Sequence, residues 1–174
     1  MNDSGRTCGC CGKQLDGIPT DMAYRRPVHY FLVPEGERAK RIYETDDFCI
    51  IDGSTFVIRG VLSVPIADQP GRSFTWGLWA AIARDDFERY LELYDSDAEG
   101  EAPFRGALAV SPPNYPDLLD AEVSIHFATA KSRPHFHPLS FDHRLFREHR
   151  DGISTQRWHQ IIAELDEYQS GGRH

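Results

Sequence analysis

The sequence lacks long hydrophobic runs: none of its 174 residues lies in a stretch approaching the roughly 18 apolar residues of a transmembrane helix. It also lacks the basic segment and apolar run of a secretory signal. Cysteine is scarce, with four residues, three of them at positions 8–11. We therefore expect a cytoplasmic protein with no membrane partner, in which cysteines are metal ligands or free thiols rather than disulfides.

Familiar catalytic and nucleotide-binding motifs are missing too. No G-x-S-x-G, G-x-x-x-x-G-K-[ST], H-E-x-x-H or Rossmann glycine pattern occurs, which removes the commonest hydrolase, nucleotide-binding and metalloprotease interpretations. Positive charge is also in short supply, since 27 Asp and Glu outnumber 19 Lys and Arg and give a formal charge of −8. An acidic protein disfavours phosphate-rich partners, so no nucleic acid is expected.

The acidic residues are concentrated between Asp85 and Glu101, where eight acids accompany one base, Arg89. The simplest interpretation is a solvated helix face that runs into a loop. The alternative is a surface for a basic protein, as in a regulatory or toxin-neutralising partner.

What the sequence does contain is an early cysteine knuckle, Cys8-Gly9-Cys10-Cys11-Gly12. Tight turns in such a segment can aim two thiolates at one metal ion, which predicts zinc. Cys8 and Cys11 form the first pair, Cys49 on a predicted strand is the third ligand, and Cys10 or a histidine such as His29 completes the set. Free thiols or a metal-free knuckle are the alternatives. Zinc held in this way stabilises a fold rather than catalysing a reaction.

The length and composition fit a single domain over residues 1–174, with 40% apolar and 11% aromatic residues to build a core. The predicted fold is α+β: a largely antiparallel sheet with packing helices and an N-terminal segment that resembles a zinc knuckle. Within it, residues 1–20 are the knuckle segment, 21–168 the α+β body and 169–174 a flexible tail.

Hydrophobic periodicity places the elements of the body. Helices are predicted from Pro34 to about Thr45, from Asp85 to about Tyr94, and from a cap at Ser154 or Thr155. Short connections between strands favour an antiparallel meander, with the last strand at an edge because prolines interrupt it. The predicted strands are Phe48–Ile51, Thr55–Ile66, Ser73–Ala83, Pro103–Val110, Ala121–Thr129 and Arg133–Ser140. The proline-rich segment 111–116 is predicted to fix Tyr115 as a packing latch or, as the less favoured alternative, a binding loop.

Two arginines are unusual for their positions. Arg59 lies in mid-strand among apolar residues, and Arg133 precedes a proline at a strand start. A strand arginine beside a tryptophan such as Trp79 can bind a carboxylate or phosphate through its planar fork. An internal salt bridge is the competing explanation. We predict a ligand-binding face that bears Arg59, Trp79 and Arg133 together with His137 and His143.

Five of the eight histidines fall late in the chain: His126, His135, His137, His143 and His149. His135 and His137 share one face of a strand, where they could chelate a metal or flank an anion, although such a pair is usually solvent-facing. Convergence of His126, His135, His137 and His143, with Asp142 as base, would indicate a metal-dependent hydrolase. The sequence assigns no catalytic residue beyond that alternative.

A series of short motifs resembles a bacterial family, the domain of unknown function family 2199, nearly from end to end. The resemblance implies no mechanism, because the family name carries no activity. It implies a histidine four residues after the second cysteine of the knuckle, where this chain has Leu15, so that Cys10 would have to substitute. The motifs are C-x-x-C-G with the following Pro19, Asp47–Asp52, Phe56–Gly60, Phe74–Trp79, Tyr115–Asp117, Arg133-Pro134, Asp142-His143 and Gly152-Ile153.

Together these observations predict a zinc-stabilised cytoplasmic binding or regulatory domain, whose partner is a protein or a small molecule. The alternative is the hydrolase-like enzyme that uses the late histidines. Convergence of those histidines on one pocket would favour the enzyme, and their scatter would oppose it.

Overall fold

In a computed structural model, the structure describes residues 12, 14 and 17–171 of the chain. These residues form five helices and eight strands. In chain order they are β1 (Asp21–Ala23), α1 (Val28–Leu32), α2 (Glu35–Arg41), β2 (Ile42–Glu44), β3 (Phe48–Ile51), β4 (Thr55–Pro65), β5 (Ser73–Ile82), α3 (Arg84–Leu93), β6 (Phe104–Leu108), β7 (Glu122–His126), β8 (His135–Pro138), α4 (Arg144–Asp151) and α5 (Thr155–Gly171).

Five of the strands close into a small barrel in the order β4, β5, β6, β7 and β8, with β8 returning to β4. The pairings within it are antiparallel except the closing one, where Val61 and His135 pair in parallel. Outside the barrel, β3 and β2 extend the sheet from β4, and β1 pairs in parallel with β5. The prediction of an α+β fold with a largely antiparallel sheet is confirmed, and the barrel closure is an addition to it.

The prediction that the last strand lies at an edge is wrong. β8 pairs with β7 on one side and with β4 on the other. Pro134 and Pro138 are compatible with this position because they bracket the strand, one just before it and one as its last residue. Proline removes one backbone donor, and a donor at a strand end is not required by the ladder.

The barrel is filled by alternate residues of its strands. The β4–β5 pairing extends over ten positions, and its inward side chains are all buried. Gly60 stands where the alternation requires an inward side chain, and the ring of Phe136 occupies that space instead. A Cβ on Gly60 would lie 2.2 Å from the Phe136 ring, so only glycine fits here. The inward residues of β4 and β5 are Phe56, Ile58, Leu62, Val64, Phe74, Trp76, Leu78 and Ala80.

Helices pack against the sheet and complete the core. α3 packs Phe87 against Phe48 and Phe56, with ring centroids 5.4 and 4.9 Å apart. α5 buries Trp158 as its apolar stripe predicts, and its first N–H, from Thr155, donates to the Asp68 carboxylate at 2.8 Å. α5 continues to Gly171, three residues into the segment expected to be a flexible tail. None of the helices in the described part of the chain combines the length and hydrophobicity that spanning a bilayer requires.

The proline-rich loop before β7 acts as a latch. Tyr115 is buried there, with its ring edge-on to Trp76 of the barrel. Its hydroxyl donates to the Glu148 carboxylate on α4, and Asn114 donates to Glu164 on α5. The loop thereby joins the barrel to the last two helices, which is the structural role that its three prolines favour.

Candidate functional site

The edge of β4 is shared by two strands that begin at nearly the same place. β3 pairs antiparallel with residues 55–58, and β8 pairs in parallel with Val61. Between them, the Arg59 N–H donates to the Asp47 carbonyl at 2.8 Å and the Val61 N–H donates to the Pro134 carbonyl at 2.9 Å. The residues just before β3 and β8 are thus brought side by side. We call this place the β4 notch and define it by Asp47, Arg59, Tyr94 and Arg133.

The Asp47 carboxylate is held from two sides of the notch. Arg133 Nε donates to Oδ1 at 2.9 Å, and the Tyr94 hydroxyl donates to Oδ2. The hydrogen bond to Asp47, followed by burial, raises the pKa of Tyr94 to about 12, so the phenol keeps its proton at neutral pH. Both carboxylate oxygens are therefore engaged without any contribution from Arg59.

Arg59 is a charged donor that is short of acceptors. Within the described residues its side chain makes one long hydrogen bond, from Nη1 to the Asp46 carbonyl at 3.4 Å. Its Nε is buried and has no hydrogen-bond partner among those residues. Burial and then the neighbouring Arg133 lower the pKa of Arg59, while Asp47 and Asp46 act in the opposite direction. The guanidinium remains charged at neutral pH, since arginine does not deprotonate in proteins.

The sequence left two explanations for these arginines, an internal salt bridge and the binding of an anion, and the structure supports the first for only one of them. Arg133 forms the internal salt bridge, to Asp47, whereas Arg59 forms none among the residues that the structure describes. Asp47 was not predicted as a site residue from the sequence. It appeared there only in the motif Asp47–Asp52, directly before the predicted strand, and its proximity to Arg133 depends on a contact between residues 86 positions apart.

The indole ring of Trp79 lies under the guanidinium group of Arg59. The two residues are directly opposite in the β4–β5 register, and the guanidinium carbon is 5.8 Å from the centre of the indole ring. Trp79 is only 1% exposed, and its Nε1 donates to the Tyr24 carbonyl at 2.8 Å. The ring therefore supports the arginine and, in this structure, does not offer a stacking surface to solvent.

The depression next to the notch is very small. It encloses about 10 Å³ and is lined by residues of α3 and the β7–β8 connection, including Tyr94, Phe127, Ser132 and Pro134. Small-molecule pockets usually measure about 300–1,000 Å³. The notch can therefore contact one group of a ligand from outside, and it does not enclose a whole organic molecule.

The late histidines divide into two places. His126, His137 and His149 come together outside the barrel, with ring centroids 4.4 Å apart for the first pair and 5.9 Å for the second. His135 lies opposite His126 in the strand register. His143 lies apart from them, with Nδ1 3.1 Å from the Asp117 carboxylate.

The structure therefore does not assemble the four histidines of the hydrolase hypothesis. Asp142, its predicted base, offers its backbone carbonyl to Arg147. His149 takes the place expected of His143. Its position could not be predicted from the sequence beyond its place among the five late histidines, because it lies on α4, a helix that was not predicted. The apolar pair Leu145 and Phe146 at helical spacing from it was the signal that could have indicated α4.

The structure describes two of the predicted zinc ligands, Cys49 and His29. Cys8, Cys10 and Cys11 lie outside the described residues, and Cys49 is a free thiol on β3, 1% exposed. Burial, then Glu44, raises the pKa of the Cys49 thiol to about 11. His29 on α1 has a buried Nδ1 without a hydrogen-bond partner in the described ranges. Among residues 12, 14 and 17–171, no three His, Cys, Asp or Glu side chains are arranged to hold a metal ion.

Comparison with known proteins gives one match. The chain is similar, over residues 7–153, to a family model described as an uncharacterized protein conserved in bacteria, DUF2199. Neither the curated proteins nor the solved structures gave a match.

Proposed function

The chain belongs to the DUF2199 family, whose description names no activity, and we propose from the geometry of the β4 notch that it binds an anionic group between Arg59 and Arg133. The observation that carries this proposal is the buried Nε of Arg59, which has no partner in the described part of the chain. A buried donor left without an acceptor costs about 1–3 kcal/mol. A carboxylate or phosphate oxygen would supply the missing acceptor.

The charges at the notch support the same function. Two guanidiniums face one inner carboxylate, Asp47, whose oxygens already accept bonds from Arg133 and Tyr94. Asp46 is exposed and gives Arg59 only its backbone carbonyl. The chain carries a net charge of −8, so the two arginines at the notch do not belong to a generally basic protein. Arginine forks match the two oxygens of a carboxylate or the oxygens of a phosphate.

The small size of the adjacent depression supports a binding domain rather than an enzyme. The depression lies next to Tyr94 and Pro134 rather than at the arginines and encloses only about 10 Å³, so the anion is best presented by a molecule that stays mostly outside. The notch also offers no activated nucleophile, because Tyr94 keeps its proton and Asp47 is engaged on both oxygens. The proposed function is therefore recognition of an acidic group on a larger partner.

Titration with inorganic phosphate, sulfate and acetate, followed by the side-chain Nε–H signal of Arg59 in NMR spectra, tests this function. We expect saturable shifts of that signal in the wild type. Arg59→Lys keeps the charge and loses the fork, so its affinity, followed by calorimetry, should fall by about tenfold, which corresponds to about 1.4 kcal/mol. Arg105→Lys, an exposed arginine on β6, is the matched control and should bind like the wild type. Equal binding by Arg59→Lys, or no binding of any anion, would refute the proposal.

We further propose that zinc held by the N-terminal cysteines stabilises the domain, with Cys49 and His29 as its ligands from the body. α1, which carries His29, packs against β3, which carries Cys49. The buried Nδ1 of His29, which has no hydrogen-bond partner within the described residues, favours this histidine over Cys10 as the fourth ligand. Zinc would supply structural stabilisation, and a coordinating thiol loses its proton whatever its pKa in the free form.

Metal content per chain, measured on protein purified without chelator, tests this second proposal. We expect about one zinc in the wild type and its loss in Cys8→Ser and in His29→Ala, together with a lower unfolding midpoint. His137→Ala is the control and should retain the metal. Loss of zinc in His137→Ala alone would assign the metal to the late histidines, and absence of zinc from the wild type would exclude both assignments.

A further inference from the structure

The seam that closes the barrel is short. Between β4 and β8, Val61 pairs with His135, and the Val61 N–H donates to the Pro134 carbonyl. The opposite side of β4, by contrast, pairs with β5 over ten positions. Because the seam has so few backbone hydrogen bonds, its stability depends on side chains that pack across it. Some of these side chains lie inside the barrel and others lie outside it. Inside, Phe136 fills the space over Gly60.

Outside the seam, three imidazole rings from three elements form what we call the histidine stack. His126 of β7 and His137 of β8 meet edge to face, with an interplanar angle of 68°, and His137 meets His149 of α4 at 78°. His149 Nδ1 donates to the Ser63 carbonyl of β4 at 2.7 Å. The stack therefore connects both strands of the seam with the helix that covers them.

We propose that the histidine stack is a proton-sensitive clasp on the barrel seam: neutral rings hold α4 and β8 against β4, and protonated rings release them. The geometry supplies the reason, because rings this close repel one another as soon as two of them are charged. The hydrogen bond to Ser63 also fixes the proton of His149 on Nδ1, since a carbonyl can only accept.

The charged groups around the stack do not neutralise it. On the outer face they are Arg105 of β6, His126 and Glu122 of β7, His135 of β8, His149 of α4 and Arg59 of β4, which shares its face of the strand with the uncharged Val61, Ser63 and Pro65. Glu122, the one acid among them, lies one row away from His137 in the register. Glu148 of α4 is bonded to Arg144 and Arg157 instead. Burial, then His126, His149 and His135, lower the pKa of His137.

The direction of the pH effect follows from that lowered pKa. The unfolded chain takes up a proton at this histidine near pH 6.5, whereas the folded chain resists it to a lower pH. The unfolded state therefore binds more protons over that interval, and the folded state loses stability as the pH falls through it. His143, paired with Asp117 and outside the stack, serves as the matched control.

Urea unfolding at pH 7.5, 6.5 and 5.5 tests the clasp. Between the first and last pH we expect the folding equilibrium constant to fall further, by up to about tenfold, in the wild type and in His143→Gln than in His137→Gln, because the glutamine cannot take up the proton. Amide exchange at pH 5.5, corrected for the intrinsic rate, should show lost protection in α4 and β8 and unchanged protection in β5. Equal pH slopes in all three proteins, or a uniform loss of protection, would overturn the proposal.

A second variant keeps the test decisive if His137→Gln does not fold. In the wild type, ring-proton NMR should show that His137 titrates below the ordinary histidine range. In His149→Gln the same ring should titrate at a higher pH, because one repelling neighbour is gone. No change of the His137 titration in that variant would contradict the clasp, because burial alone, and not repulsion from His149, would then account for the lowered pKa of His137.

Discussion

Two of the clusters built from arginine, tyrosine and acid differ in how well their donors and acceptors match. At the junction of α4 and α5, Arg157 donates to Glu148 at 3.0 Å and to Glu164 at 3.4 Å, while Tyr115 also donates to Glu148. At the β4 notch, Arg59 has a buried Nε without a partner in the described residues. The first cluster is complete in itself, and the second has room for an acceptor from outside.

The pKa directions of the two arginines express the same difference. Burial acts to lower the pKa of Arg157, but Tyr115 and Glu148 more than offset it and the pKa is raised. For Arg59, burial and Arg133 together lower the pKa. Arginine beside excess acceptors forms a structural joint, whereas arginine beside a second arginine is a place where an added anion is favourable.

The same substitution in both clusters should give opposite results, and this is the largest effect we expect. The side chains of Arg157 and Glu148 are 10% and 13% exposed, so Arg157→Met leaves a nearly buried carboxylate short of its partner and should cost about 3 kcal/mol of unfolding free energy. Arg59→Met removes a buried Nε donor that has no acceptor in the described residues, so it should change that free energy by less than about 1 kcal/mol, toward higher stability. Urea unfolding at pH 7 measures both.

Arg105→Met provides the reference for the loss of one exposed arginine and should remain within about 0.5 kcal/mol of the wild type. Comparable large losses in Arg157→Met and Arg59→Met would mean that Arg59 is as fully paired as Arg157. The distinction between the two clusters would then fail, together with the argument for an anion at the notch.

A second, smaller effect is expected at Tyr94 of the notch. Asp47→Asn removes the charge that holds the Tyr94 proton, so the pKa of Tyr94 should fall from about 12 toward the ordinary value near 10. The variant should also lose about 1–2 kcal/mol of stability, because Arg133 loses its partner. Alkaline titration by ultraviolet absorbance, with Tyr94→Phe subtracted to isolate the residue, measures the pKa. An unchanged titration would show that burial rather than Asp47 sets it.

Sequence reasoning identified the two arginines but not the arrangement that makes them differ. Arg59 and Arg133 stand out locally, one in an apolar strand and the other before a proline. Their relation to Asp47 depends on β3 and β8 sharing one edge of β4, and no local period encodes such a pairing. The same limit explains β8, whose flanking prolines indicated an edge although the barrel closes there. Local patterns located α3, the strands β3, β4 and β5 and the stripe of α5, because their information lies within each segment.

The smallest effect that we expect is the coupling free energy between Arg59 and Arg133. In a double-mutant cycle with Arg59→Gln and Arg133→Gln, the two like charges should show a repulsive coupling of about 0.5 kcal/mol in unfolding experiments without phosphate or sulfate. Added phosphate should reverse its sign, because an anion bound by both arginines makes each depend on the other. A coupling that does not change with phosphate would mean that the arginines do not share an anion, even if the domain as a whole binds one. The sign of this coupling therefore distinguishes the notch from any other anion site on the protein.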